Sequence, residues 1–226
     1  MRTPIALIAL VVAVVVGGAG CSTTISGTPT WPGAKLDKVM LTQADFPPGV
    51  EYGRIDERPG QPDNFGGASP LPSEPQGCSD GLTTVISASA ERGPGSAVKY
   101  NVIYASARIV MTVLTSSLNL DALAAEAARC ERFDAFFDRN STAIPITTAK
   151  MPGSRPEQLV YQQTMRLQGI DSSVYMSFEN IGTMAVFGIA YPTTQLAKRQ
   201  QAAPKASLPQ TFIEIADRQA QRIRDS

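Results

Sequence analysis

The chain carries three cysteines, Cys21, Cys78 and Cys130, and no histidine. Those two facts decide most of the chemistry open to it. Serine–histidine–aspartate and cysteine–histidine sites need an imidazole base and are excluded. Histidine-ligated metal centres and imidazole switches near neutral pH go with them. No serine–lysine dyad is read, and no glycine-rich phosphate cradle joins a strand to a helix. Asp63-Asn64 and Asp171-Ser172-Ser173 are isolated turn residues, short of an oxygen-rich calcium loop. Asn140-Ser141-Thr142 matches a glycosylation acceptor, a triplet frequent by chance. Carboxylates are plentiful, but no spacing singles out a pair for acid–base work. The chain therefore reads as a non-enzyme, with no cofactor and no metal. Lys plus Arg and Asp plus Glu are balanced at 20 each, which gives no electrostatic reason to expect nucleic acid.

The chemistry of Cys21 is set by what precedes it. After Met1-Arg2-Thr3 come twelve consecutive apolar residues, Ile5 to Val16, and then Gly17-Gly18-Ala19-Gly20-Cys21. A twelve-residue helix spans about 18 Å, short of the roughly 30 Å hydrocarbon core, so the segment fits a secretory leader and not a permanent span. Small residues leave the backbone accessible to a signal peptidase. A cysteine directly after them resembles the bacterial lipobox, in which the thiol is acylated and becomes the new N-terminus. Gly18 stands where that pattern usually has Leu. The alternative is ordinary secretion, with Cys21 an unpaired thiol. The expected organisation is a cleaved leader over 1–20, a tether over 21–34, and one domain over 35–226. The tether, poor in charge and rich in Ser, Thr, Gly and Pro, cannot bury enough surface to order itself.

With Cys21 acylated, Cys78 and Cys130 remain as an even pair in an oxidising compartment. A disulfide between them would stabilise the fold by roughly 4 kcal/mol in the chain-entropy model. A redox or metal pair is the competing reading, without a CxxC spacing, a histidine or a third ligand to support it.

The elements that hold these residues follow from periodicity. Residues 35–46 predict a short strand or turn. Residues 47–77 hold seven prolines and six glycines in 31 positions, which predicts a long loop with no regular element. Its charges, Arg54, Asp56, Glu57, Arg58 and Asp63, read as solvated, with the lining of a ligand site as the alternative. A helix is expected to begin near Ser79 or Asp80, followed by strands over Val98–Ala105 and Arg108–Thr115. Asn119 can cap a helix whose apolar stripe runs through Leu120, Leu123, Ala127, Cys130, Phe133 or Asp134, and Phe137. Strands are predicted over Ala143–Ala149, Leu159–Leu167, Ser173–Asn180 and Met184–Tyr191, the last three forming a meander. A short helix is placed within Thr193–Ala203, and a capping box at Ser207 opens an amphipathic C-terminal helix with Phe212, Ile213, Ala216, Ala220 and Ile223 as its stripe. The fold class is α+β, a mainly antiparallel sheet flanked by helices.

Several segments carry a family resemblance. They are Cys78 opening a helix, LDALAAEAARCERF around Cys130, the meander SVYMSFENIGTMAVFGIAYP, and the closing FIEIADRQAQRIR. Behind a lipobox, this order resembles the small mycobacterial lipoproteins related to the extracellular sensor domain of PknH-type receptor kinases. The resemblance implies a helix-flanked antiparallel sheet with a cleft for an unidentified ligand. It departs in allowing one disulfide where the kinase domain has two. It also departs in carrying no kinase domain, so that signalling would run through a separate partner. The function expected is a ligand- or protein-binding module on the outer face of the cell membrane, anchored through lipid on Cys21, with an envelope component as partner. A lipid carrier is the alternative. It would need surplus apolar residues on the second sheet face, and Gln162, Thr164, Arg166, Ser177 and Glu179 read that face as polar.

Overall fold

The computed structural model describes residues 33–55, 70–90, 93, 95–104, 107–138, 140–192 and 208–226. Four α-helices are present among them: α1 (Ala34–Val39), α2 (Gly81–Ser89), α3 (Leu120–Arg129) and α4 (Leu208–Arg224). The strands are β1 (Glu51–Ile55), β2 (Ser73–Glu74), β3 (Ala97–Tyr104), β4 (Ala107–Leu114), β5 (Arg132–Ala135), β6 (Ile144–Met151), β7 (Leu159–Leu167), β8 (Ile170–Ile181) and β9 (Met184–Pro192). They make one antiparallel sheet in the order β1-β3-β4-β9-β8-β7-β6-β5-β2. The architecture is α+β, as the periodicity predicts. The meander extends over five consecutive strands, β5 to β9, before β9 turns to pair with β4. No helix among the described residues is long and apolar enough to cross a membrane.

Each sheet face carries its own core because successive side chains alternate. On one face Tyr100, Ile109, Met111, Val113, Val186 and Ala190 pack against Leu36 and Val39 of α1 and Phe212, Ile215 and Ala216 of α4. Gly188 lets α4 approach: a Cβ there would meet Met111 Sδ at 2.5 Å and Phe212 Cε2 at 2.8 Å. Gln219, fully buried on α4, accepts from the Leu41 amide and donates to the Val39 carbonyl, so the chain after α1 is tied to the helix. On the other face α2 and α3 cover Tyr161, Met176, Phe178, Ala185 and Phe187.

Four expectations change. Residues 35–46 form α1 and a 3-10 turn at Gln43–Asp45, because Leu36, Val39 and Met40 repeat at helical spacing and are all buried. The loop of 47–77 contains β1 and β2, whose backbone groups pair with β3 and β5 despite nearby Pro and Gly. The cysteine-bearing helix stops at Arg129. Cys130 is its C-cap, Phe133 lies on β5 paired with Ile146, and Phe137 is 65% exposed. Pairing with β6 satisfies that backbone better than two more helical turns would. On α4 the buried stripe takes Ile215 where the sequence offers Ile213. The helix placed within Thr193–Ala203 and the Ser207 cap lie outside the described residues, as do Asp56, Glu57, Arg58 and Asp63.

Candidate functional site

Cys21 lies outside the described residues. Cys78 and Cys130 form a disulfide, with Sγ–Sγ 2.12 Å and Cα–Cα 5.4 Å, and both are 4% exposed. The bridge joins the approach to α2 to the end of α3. Phe133, Ala135, Leu71 and Ile146 enclose it in a small core of its own. Beside it, Arg129 donates twice to Glu126 and once to the Gln76 carbonyl. The hydrogen bonds from Arg129 hold the Glu126 carboxyl below its ordinary value against the opposing pull of burial. A bridge so enclosed is a structural crosslink.

One spacing the sequence reading passes over is Ser96-Ala97-Val98-Lys99, an SxxK. Ser96 immediately precedes β3 and Lys99 lies on it, an odd number of residues away, so the two are set toward opposite faces. Ser96 Oγ donates to the Gly93 carbonyl. No nucleophile–base pair results. Among the described residues, no group of three or more His, Cys, Asp or Glu side chains could hold a metal ion.

The densest charge cluster sits between the sheet and the C-terminal half of α4. Glu179 on β8 is 1% exposed and takes a bidentate contact from Arg155, Nε to Oε1 at 3.0 Å and Nη2 to Oε2 at 2.6 Å. Arg224 also donates to Glu179, and Asp217 accepts from Arg155 at 3.0 Å and from Ser154. The Glu179 hydrogen bonds raise the Arg155 pKa above its ordinary value while burial pulls the other way. Two guanidinium groups meet two carboxylates, so the cluster is neutral and internally satisfied. It fastens α4 and leaves no charge over for a ligand. The adjoining depression of about 400 Å³, lined by Lys150 to Arg155, Pro156 and Gln158, is a surface recess beside this clamp. A second recess of about 530 Å³ lies between α2 and the start of α3.

A different kind of surface continues from the α2–α3 core toward the β7–β8 turn. The buried cluster includes Phe187 and Met176 and reaches Ile189 at its border. Past that border the same face carries Val110, Ile103, Arg108, Tyr191, Val174 and Met165, all half-buried, and then Leu167 and Ile170 at 39% and 72% exposure. Register sets the neighbours: Ile103 and Tyr191 stand directly across from Arg108 on β3 and β9. Arg108 Nε is enclosed by its surroundings and has no hydrogen-bond partner among the described residues. Gln162, Thr164, Ser177 and Glu179, which read as a wet second face, belong to the side where α4 packs. Ser177 and Glu179 are 3% and 1% exposed there. The polar argument against an apolar sheet surface therefore applied to the covered face. Nothing in the strand sequences says which face a helix will cover.

These features define a class: a helix-flanked antiparallel sheet domain with a structural disulfide and a half-covered sheet face. Among solved structures the fold is similar to the extracellular domain of PknH from Mycobacterium tuberculosis, with TM-score 0.53 and 12% identity over 88% of this chain and 100% of that one. An uncharacterised protein from Mycobacterium smegmatis, the Rv0999 ortholog, aligns with TM-score 0.46 and 12% identity over 85% of this chain and 96% of that one. No protein-family model and no curated protein matches the chain. At 12% identity the likeness is one of fold.

Proposed function

We propose that the protein is a lipid-anchored binding module of the cell envelope, sensor-like and non-catalytic, displayed on the outer face of the membrane. Its organisation is a cleaved leader over 1–20, a tether over 21–34 acylated at Cys21, and the binding domain over 35–226. The observation that carries the binding role is the half-covered sheet face. A protein that needed only to be stable would bury Ile103, Val110, Val174, Ile189, Leu167 and Ile170, and among the described residues helices cover just one end of that face. The buried Cys78–Cys130 bridge supports an oxidising compartment. Sharing its fold with the extracellular domain of a kinase supports the same location and a recognition role. A carrier reading draws on the same apolar residues, but a carrier encloses acyl chains, whereas these residues form a floor.

Native mass spectrometry of protein extracted from the envelope in mild detergent tests the reading. A bound small molecule or stoichiometric protein partner is expected. Extraction of bare monomer, under conditions that preserve other envelope complexes, would refute it.

A further inference from the structure

We infer that the half-covered face binds an anionic single-chain amphiphile, with its carboxylate or phosphate on Arg108 and its alkyl chain laid across the apolar floor. This rests on the binding reading above and names the ligand class.

Arg108 is the exception among the half-buried charges. On the opposite, α4 side of the sheet, Arg155 and Arg224 share Glu179, and Arg222 pairs with Asp45. Among the described residues Arg108 has no ion pair, and its Nε is enclosed without an acceptor. Neither residue directly across from it serves as an acceptor for its Nε: Ile103 offers only hydrocarbon, and the Tyr191 hydroxyl is no partner to it. Glu51, the acidic residue in the same cross-sheet row, is two strands away, about 10 Å by strand spacing. A guanidinium half-withdrawn from water among apolar side chains is unfavourable until an anion arrives. Its planar fork then suits a carboxylate or phosphate in bidentate contact.

The floor dictates the remainder of the ligand. From Arg108 the largely apolar surface runs past Tyr191 to Val174 and on toward Met165 and the Leu167–Ile170 pair, with the uncharged Gln163 and Ser172 set beside Val174 and Met165. That path crosses three strand spacings, on the order of 14 Å, with no cation among its own residues; Lys99 and Lys150 share this face but lie back toward the α2–α3 core, in the rows of Phe187 and Tyr161. Arg166 is turned to the opposite face and bridges Asp171 at 3.2 Å. One anionic head and one long apolar tail therefore match the surface. A compact polar solute would leave the floor wet, and a neutral lipid would leave the guanidinium unpaired.

The test uses the whole secreted chain with Cys21→Ala, titrated calorimetrically with oleate and with methyl oleate below their aggregation concentrations. Oleate should bind one to one and the ester at least about tenfold more weakly, the loss expected for one charge-assisted contact. Arg108→Gln should abolish the preference for the acid while leaving the thermal midpoint unchanged, since no partner is lost. Arg108→Lys should retain part of the preference. Equal binding of acid and ester, absence of oleate binding, or an undiminished preference in Arg108→Gln would each overturn the assignment. Any of those results alongside a different ligand in the native extract rejects the anionic class and leaves the binding module standing. An empty extract strikes at the module itself.

Discussion

At the residue scale, Arg108 and Gly188 follow opposite rules on opposite faces of the sheet. Arg108 departs from a local rule, that half-buried charge should be paired, and that departure makes it a ligand candidate. Gly188 obeys a packing rule instead. Its missing Cβ admits Phe212, which is fully buried, and Met111 from the paired strand. Gly188→Ala forces both to move. Met111 can rotate away, but the Phe212 ring has no free space, so α4 must lift. The expected cost is about 1–3 kcal/mol, the usual penalty for overpacking a filled core. For a protein of this size that is a fall of several degrees in thermal midpoint. A midpoint within a degree of the parent would mean that α4 does not sit against the sheet as described. Oleate binding by this variant should persist, since Gly188 is on the other face.

At the element scale, two electrostatic fastenings hold α4, and each predicts its own response. Asp45 ends the 3-10 turn. Burial alone would push its pKa up, but the Thr42 amide and hydroxyl and the Arg222 guanidinium together hold it below its ordinary 3.8. A carboxyl whose folded pKa is depressed contributes stability that is complete above its unfolded value and vanishes as pH falls through the folded one. Glu126, lowered from 4.5 by Arg129, acts with the same sign. Urea midpoints should therefore be level from about pH 5 to 7 and drop below about pH 4. Asp45→Asn should lower the neutral plateau and flatten that acid limb; an unchanged limb would contradict the assignment. The Glu179 clamp behaves differently because its carboxylate is buried. Glu179→Gln leaves Arg155 and Arg224 partly withdrawn from water with a neutral partner, at a cost of about 3 kcal/mol, and salt should recover little of it. Full recovery in 1 M salt would place the pair at the surface. These fastenings also show what the sequence could reveal. The Leu159–Leu167 strand and the β7–β9 meander were legible because period-2 alternation is local. The disulfide was legible because parity and compartment constrain two thiols. Glu179 was not, since an alternating polar residue looks the same under a helix as under water. Phe133 was misassigned for a related reason. Its spacing from Cys130 fits a helix, and only the distant β6 strand decides against it.

At the scale of the whole molecule, the proposed anchor on Cys21 would set how the proposed binding face meets its ligand. The leader resembles a lipobox with one deviation, Gly18 in place of Leu, which removes a side chain the processing enzymes usually read. The remaining cues are intact: a single early cation, twelve apolar residues, and small residues up to the thiol. The acylated chain should enter the detergent phase on temperature-induced separation and carry acyl mass on its N-terminal peptide. Cys21→Ala should shift it to the aqueous phase and the culture medium, with the 78–130 disulfide intact. One acyl chain holds a protein only marginally and reversibly, whereas two or three hold it firmly. Release of the variant should therefore be nearly complete if Cys21 is the anchor. Quantitative retention of Cys21→Ala in the membrane fraction would place the anchorage elsewhere. The apolar edge at Leu167 and Ile170 would then be the next residues to substitute, since they offer the exposed aliphatic surface through which the domain itself could hold a bilayer.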